Sequence, residues 1–152
     1  MNKRELGINY FKQGYNCAQS VALAFKDELG LDENTVLMLS SAFGGGFGRM
    51  REVCGAISGM TMVVGAKCGY VSPTDNVAKM NTYAVEQELA KQFIAKNGSI
   101  ICAQIIKTDD ATSTSPTPSE RTSEYYKKRP CAEYVGDACE ILENYLTEKG
   151  LT

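Results

Sequence analysis

Six cysteines stand at positions 17, 54, 68, 102, 131 and 139, and there is no histidine. Without histidine, Ser-His-Asp and Cys-His nucleophilic chemistry and His-ligated metal sites are excluded. Cysteine is then the most chemically capable side chain in the chain. As thiolate it attacks disulfides and binds soft metals; as thiol it does neither well. The spacings remove the simple templates. No C-x-x-C occurs, so a thioredoxin-type pair is absent. The closely spaced ligand pairs of zinc ribbons and bacterial ferredoxins are absent too. Cys131 and Cys139 are more than two helical turns apart and cannot reach one ion from one straight helix. Any cysteine site must therefore be assembled from several elements.

Those elements read as helices. A first helix over 2–13 stops at Gly14. Asn16 caps a second running to about Leu29, whose Ala18, Val21, Ala22, Phe25 and Leu29 make one apolar stripe. Gly30 closes it, and Asp32 caps a third helix carrying Val36, Leu39 and Phe43. Phe43-Gly44-Gly45-Gly46-Phe47-Gly48-Arg49 is too glycine-rich to stay helical. A fourth helix, about Val53 to Lys67, is apolar nearly all round and belongs at the centre. Gly55 and Gly59 on it allow a neighbouring helix to come close. Ser72-Pro73-Thr74-Asp75 opens a fifth helix to about Lys96, with Val85, Leu89 and Phe93 at successive i+4 positions. Ser99 can cap a short helix from Ile100 to Lys107. Residues 108–123, rich in Ser, Thr, Asp and Pro, read as a flexible, solvated loop. A last helix runs from about Pro130 to Lys149 with Tyr134, Val135, Ala138, Ile141, Leu142 and Tyr145 on one stripe. No segment alternates as a strand and no repeat is visible. The expectation is an all-α, single-domain helical bundle over 1–152, with about six to seven helices and a buried central helix.

On this frame four cysteines share a setting. Cys17 follows the cap Asn16, and Cys54 follows the glycine loop. Cys102 lies three residues after Ser99, and Cys131 follows Pro130. Each falls in the predicted first turn of a helix. There, unpaired N–H groups and about half a positive charge favour the thiolate. Cys68 sits at a helix end, and Cys139 lies mid-helix about 90° off the apolar stripe. Four functional and two incidental cysteines are expected. The glycine loop has two readings. It lets the chain pass tightly beside the central helix, or Gly45, Gly46 and Arg49, with Arg51, form an anion site. Arg49 or Arg51 can also lower the pKa of Cys54. The loop is no dinucleotide fingerprint, since no strand precedes it and the glycine spacing fails at Arg51. Glu52 is the carboxylate nearest Cys54 in sequence and reads as a solvated partner of the helix start.

The 16 basic and 18 acidic residues are interspersed, with a net charge of −2, so no basic stripe awaits nucleic acid. The apolar run Val53 to Ala66 is too short for a membrane span. The polar N-terminus lacks a signal core, giving a cytoplasmic expectation in which thiols are reduced.

The string Cys54-Gly55-Ala56-Ile57-Ser58-Gly59 reads C-G-A-x-x-G. Before it stand Gly14-Tyr15-Asn16-Cys17-Ala18-Gln19 and the Phe-Gly-Gly-Gly loop; after it come Gly98-Ser99-Ile100-Ile101-Cys102 and Cys131-Ala132-Glu133-Tyr134-Val135. In this order the blocks resemble the C_GCAxxG_C_C family of redox-active proteins over about residues 10–147. The resemblance implies that Cys17, Cys54, Cys102 and Cys131 are the shared cysteines. It also implies a redox role beside a transporter or oxidoreductase system, with no defined substrate. Cys68 and Cys139 lie outside the pattern. Three mechanisms stay open. The four cysteines carry thiol–disulfide exchange or electron transfer; the same four bind zinc or an iron–sulfur cluster; or the chain is a non-catalytic helical accessory module with buried cysteines. Whether it forms a homodimer is also open.

Overall fold

Short polar side chains start most of the helices. In the computed structural model, which describes residues 1–152, Asn2 accepts from the Glu5 N–H to open α1 (Lys3–Lys12). Asn16 and Gln19 form a reciprocal capping box at α2 (Cys17–Ala24). Asp32 caps α4 (Glu33–Ser41) and Asp75 caps α6 (Asn76–Asn97), which closes on Gly98 at φ 89°. The remaining helices are α3 (Lys26–Leu29), α5 (Gly55–Cys68), α7 (Cys102–Ile105), α8 (Ser123–Lys128) and α9 (Cys131–Glu148). The fold is all-helical. Its only β-type pairing is a single antiparallel bridge between Val53 and Ile101. No helix is long and apolar enough to cross a membrane.

Nine helices replace the expected six to seven because one expected helix is split and one was not foreseen. The stretch from Asn16 to Leu29 breaks at Phe25, which leaves helical geometry (φ −113°, ψ 26°) to bury its ring. Lys3 Nζ compensates, donating to the Ala24 carbonyl at 2.7 Å and lying 5.0 Å over the Phe25 ring. Helix α8 starts on a Thr122 cap inside a polar segment with no apolar period. Ser99 does not cap α7. Its hydroxyl accepts from the Ile101 N–H, and the helix begins later, at Cys102.

The N-terminal half of α5 is buried on all sides, from Gly55 through Met60. Its glycines admit α2: a Cβ on Gly59 would lie 2.8 Å from the Ala18 carbonyl oxygen and 2.9 Å from Val21 Cβ. Helix α9 packs against α1, α2, α5 and α6, so most of its circumference is covered. Cys139 is consequently buried rather than set aside from the core. A Cβ on Gly7 of α1 would come within 2.6 Å of its Sγ. The α1–α9 contact is closed at its edge by Arg4, which reaches Glu133 (2.6 Å), Asp137 (2.8 Å) and Glu140 (3.1 Å). Asn97 Nδ2 of α6 donates to the same Asp137 at 3.2 Å.

Candidate functional site: a four-cysteine cavity

The glycine loop does the first positioning. Gly45, Gly46 and Gly48 take φ of 67°, 72° and 59°. The turn is closed by Arg49 N–H to Gly44 O, Arg51 N–H to Gly45 O and Glu52 N–H to Gly46 O. Gly46 is pressed against α7: a Cβ there would sit 2.7 Å from both Cys102 Cβ and the Glu52 nitrogen. The chain then enters the Val53–Ile101 bridge, where Cys54 N–H donates to Ile100 O (2.7 Å) and Cys102 N–H to Glu52 O (2.6 Å). That pairing sets Cys54, the residue before α5, beside Cys102, the first residue of α7. Cys17 begins α2 and packs on Gly55, whose added Cβ would lie 3.0 Å from Cys17 Cβ. Cys131 begins α9. All four line one cavity of about 570 Å³, together with Gly45, Gly46, Arg49 and Arg51. Cys54, Cys102 and Cys131 are 5%, 5% and 6% exposed, and Cys17 is half-buried. Cys68, at the far end of α5, and Cys139, against α1, are outside the cavity.

A family model described as "Putative redox-active protein (C_GCAxxG_C_C)" matches residues 15–145, a span that contains all four cavity cysteines. The chain belongs to the C_GCAxxG_C_C family. No curated protein and no solved structure matches it.

In this C_GCAxxG_C_C chain the helix-start setting does not by itself produce thiolates. Burial pushes Cys54 up to about 12 against the pull of the Ala56 N–H. Burial also raises Cys102, against the opposing pull of Arg51, whose Nη1 lies 4.0 Å from the Cys102 Sγ. Arg51 therefore acts on Cys102 and not on Cys54 as expected, because the Val53–Ile101 bridge turns Cys102 toward it. Cys17 is raised, chiefly by hydrogen bonding to Cys131 and then by burial. Cys131 alone falls below the ordinary thiol range. Hydrogen bonding from Cys17 contributes most, followed by the positive charges of Arg129, Arg121 and Arg51. All six cysteines are free thiols. No three His, Cys, Asp or Glu side chains are grouped so as to hold a metal ion.

Arg121 and Arg129 complete the wall, and neither was singled out from sequence. Both stack on Tyr125, at 5.0 and 4.9 Å from its centroid. Their spacing, Arg121–Tyr125–Arg129, is four and four, and was the available signal. Arg121 also donates to the carbonyls of Phe11 and Tyr15, at 3.0 Å each. The segment between α7 and α8 is tied down at the site. Ser113 O accepts from Arg51 Nε (3.0 Å), and Ser119 Oγ accepts from Arg49 Nη1 (3.3 Å). Asp110 pairs with Arg129, and with Arg51 and Arg49 at 3.6 and 3.9 Å. Pro116, Pro118 and Ser119 form part of the cavity lining. Glu52 is exposed and outside it, consistent with a solvated role.

Proposed function

We propose that the chain is a thiol–disulfide oxidoreductase in which Cys131 is the attacking thiolate and Cys17 the resolving thiol. The arrangement that carries this reading is Cys17 and Cys131, at the starts of α2 and α9, lining one cavity with Arg51, Arg121 and Arg129. One thiol is held low by hydrogen bonding and guanidinium charge while its neighbour is held high. Two thiols separated in this way give an ionised nucleophile and a protonated reserve in one place. In the first step the Cys131 thiolate attacks one sulfur of a substrate disulfide. A mixed disulfide forms and the second substrate sulfur leaves as thiolate. Cys17 then attacks the Cys131 sulfur as its own proton passes to solvent. The first substrate sulfur leaves, and a Cys17–Cys131 disulfide remains. The substrate gains two electrons and the protein loses two. A dithiol partner, from an oxidoreductase or transporter system in a reducing cytoplasm, returns them. Cys54 and Cys102 stay protonated near neutral pH and provide a second dithiol beside the first.

The test is a thiol count by alkylation and mass spectrometry in glutathione buffers spanning roughly −320 to −180 mV. The wild type is expected to lose two thiols, mapped to Cys17 and Cys131. Cys17→Ser is expected to accumulate a mixed disulfide on Cys131. A thiol count that stays at six across the whole range overturns the proposal.

A further inference from the structure

The cavity holds four guanidiniums and no carboxylate. Arg49, Arg51, Arg121 and Arg129 line it, and no Asp, Glu or Lys does. Asp110, behind the wall, is the one acidic group paired with these arginines, and it meets three of them. Three positive charges are left over, and a Cys131 thiolate would offset one. Arg51 is only 4% exposed, and its Nη2 makes no hydrogen bond. Arg49 Nε is likewise buried without a partner. Four lining guanidiniums with a single carboxylate partner among them make a ready site for an oxygen anion. Helices α2, α5 and α9 also begin at this cavity and add positive potential.

Size and access narrow the ligand further. Three of the thiols are nearly closed off from solvent and Cys17 is half-buried, so a small disulfide that enters the cavity meets Cys131 more readily than one held on a folded protein surface. A cavity of about 570 Å³ lies within the range that takes small molecules whole. Resting on the thiol–disulfide reading above, we infer that the substrate is a low-molecular-weight disulfide carrying carboxylates, drawn in and oriented by the Arg49–Arg51 face of the cavity. The carboxylates pair with the Arg49 and Arg51 guanidiniums that line the cavity while the disulfide faces Cys131.

The experiment compares three disulfides of similar size: bis(carboxyethyl) disulfide, neutral bis(hydroxyethyl) disulfide and cationic cystamine. Oxidation of the reduced protein is followed by loss of thiols. The anionic compound is expected to react at least about tenfold faster than the neutral one, which is about 1.4 kcal/mol of discrimination. Cystamine is expected to be slowest, and added salt should shrink the differences. Arg49→Gln is expected to collapse the ratio of anionic to neutral rates, and Arg49→Lys to restore part of it. If Arg49→Gln does not fold, calorimetry of wild-type protein with the redox-inert bis(carboxyethyl) sulfide decides. Saturable binding weakened by salt supports the inference. Equal rates for the three disulfides, or no binding of the sulfide, overturns it. Binding of the sulfide with no reaction toward any disulfide instead overturns the thiol–disulfide reading and leaves the anion site standing.

Discussion

Replacing Gly46 by Ala tests whether the glycine loop is shaped by contact with α7 or only by its backbone turn. Gly46 sits at φ 72°, where an L residue is strained by about 1–2 kcal/mol. The added methyl would also lie 2.7 Å from Cys102 Cβ and from the Glu52 nitrogen. Neither is the end of a flexible chain, since Cys102 begins a helix and Glu52 is bridged to it, so overpacking adds about 1–3 kcal/mol. Gly48 is the internal control. Its φ is 59°, but a Cβ there would meet nothing nearer than the Ala42 oxygen at 3.8 Å. Gly48→Ala should therefore carry the strain alone. The difference between the variants isolates the contact with α7 at about 1–3 kcal/mol. Urea unfolding followed by circular dichroism reads it as a lower midpoint for Gly46→Ala, roughly 1 M for each 2 kcal/mol at an unchanged slope near 2 kcal/mol per molar. Alkylation of Cys102 at fixed pH should rise in the same variant, since the methyl pushes the loop off the thiol. Equal midpoints for the two variants, or an unchanged Cys102 rate, refutes the idea that close approach fixes this loop.

The remaining expectations concern the scaffold. Between pH 9 and about 12 the unfolded thiol of Cys139 is ionised while the buried one keeps its proton. The native state then binds more protons, so stability falls as pH rises through that window. Cys139→Ala should flatten the alkaline stability slope by up to about 1.4 kcal/mol per pH unit, measured by urea titrations at several pH values; an unaltered slope speaks against burial as the cause. Asp137→Asn should lower stability by about 1–2 kcal/mol, because the charge that draws Arg4 at 2.8 Å is lost while Arg4 keeps partial access to water. Thermal unfolding at low salt is the measure, and no loss would show the α1–α9 ion network to be idle. Gly65→Ala should raise stability by about 1 kcal/mol, since this helical position is open and a Cβ there meets nothing; a decrease would mean that α5 is covered there by a partner.

Helix starts were legible where a short polar side chain declares them, as Asn16, Asp32 and Asp75 do. They were less so at Cys102, where the start is set by a bridge to Val53, a pairing between distant segments that no local pattern announces. The four-cysteine set could be picked out from position, but its assembly could not. Cys17 and Cys131 stand near opposite ends of the chain, and meet because α9 packs back on α2. Cys139 was misplaced because one apolar stripe was taken as the whole buried face. With α1 lying along that flank, Gly7 gives the extra room that brings a further side of α9 into the core. Arg121 and Arg129 were overlooked because a polar, proline-bearing segment looks solvated. Its burial comes from ion pairs and aromatic stacking, which leave no hydrophobic period behind.

The same helix-start position gives opposite outcomes at Cys54 and Cys131, and magnitudes explain why. A helix terminus stabilises an anion by about 0.3–1 kcal/mol, reaching about 2 kcal/mol in favourable buried geometry. Removing a charge from water costs several kcal/mol even after relaxation. At Cys54 the N–H groups meet that cost alone, and burial wins. At Cys131 the same terminus is joined by a thiol donor and three guanidiniums, and the balance reverses. With no histidine in the chain, the positive charges beside Cys131 come from arginines. The ionisation of Cys131, the proposed nucleophile, is thus set by the fold rather than switched by a neighbouring base. The one group that can remove that charge asymmetry is an anion large enough to span Arg49 and Arg51. Binding a carboxylate there would weaken the field that holds Cys131 low, raising the nucleophilicity of each remaining thiolate as its fraction falls. Substrate capture by Arg49 and Arg51 and the field of Arg129, Arg121 and Arg51 on Cys131 therefore overlap at Arg51, and a variant that alters Arg51 should move both together.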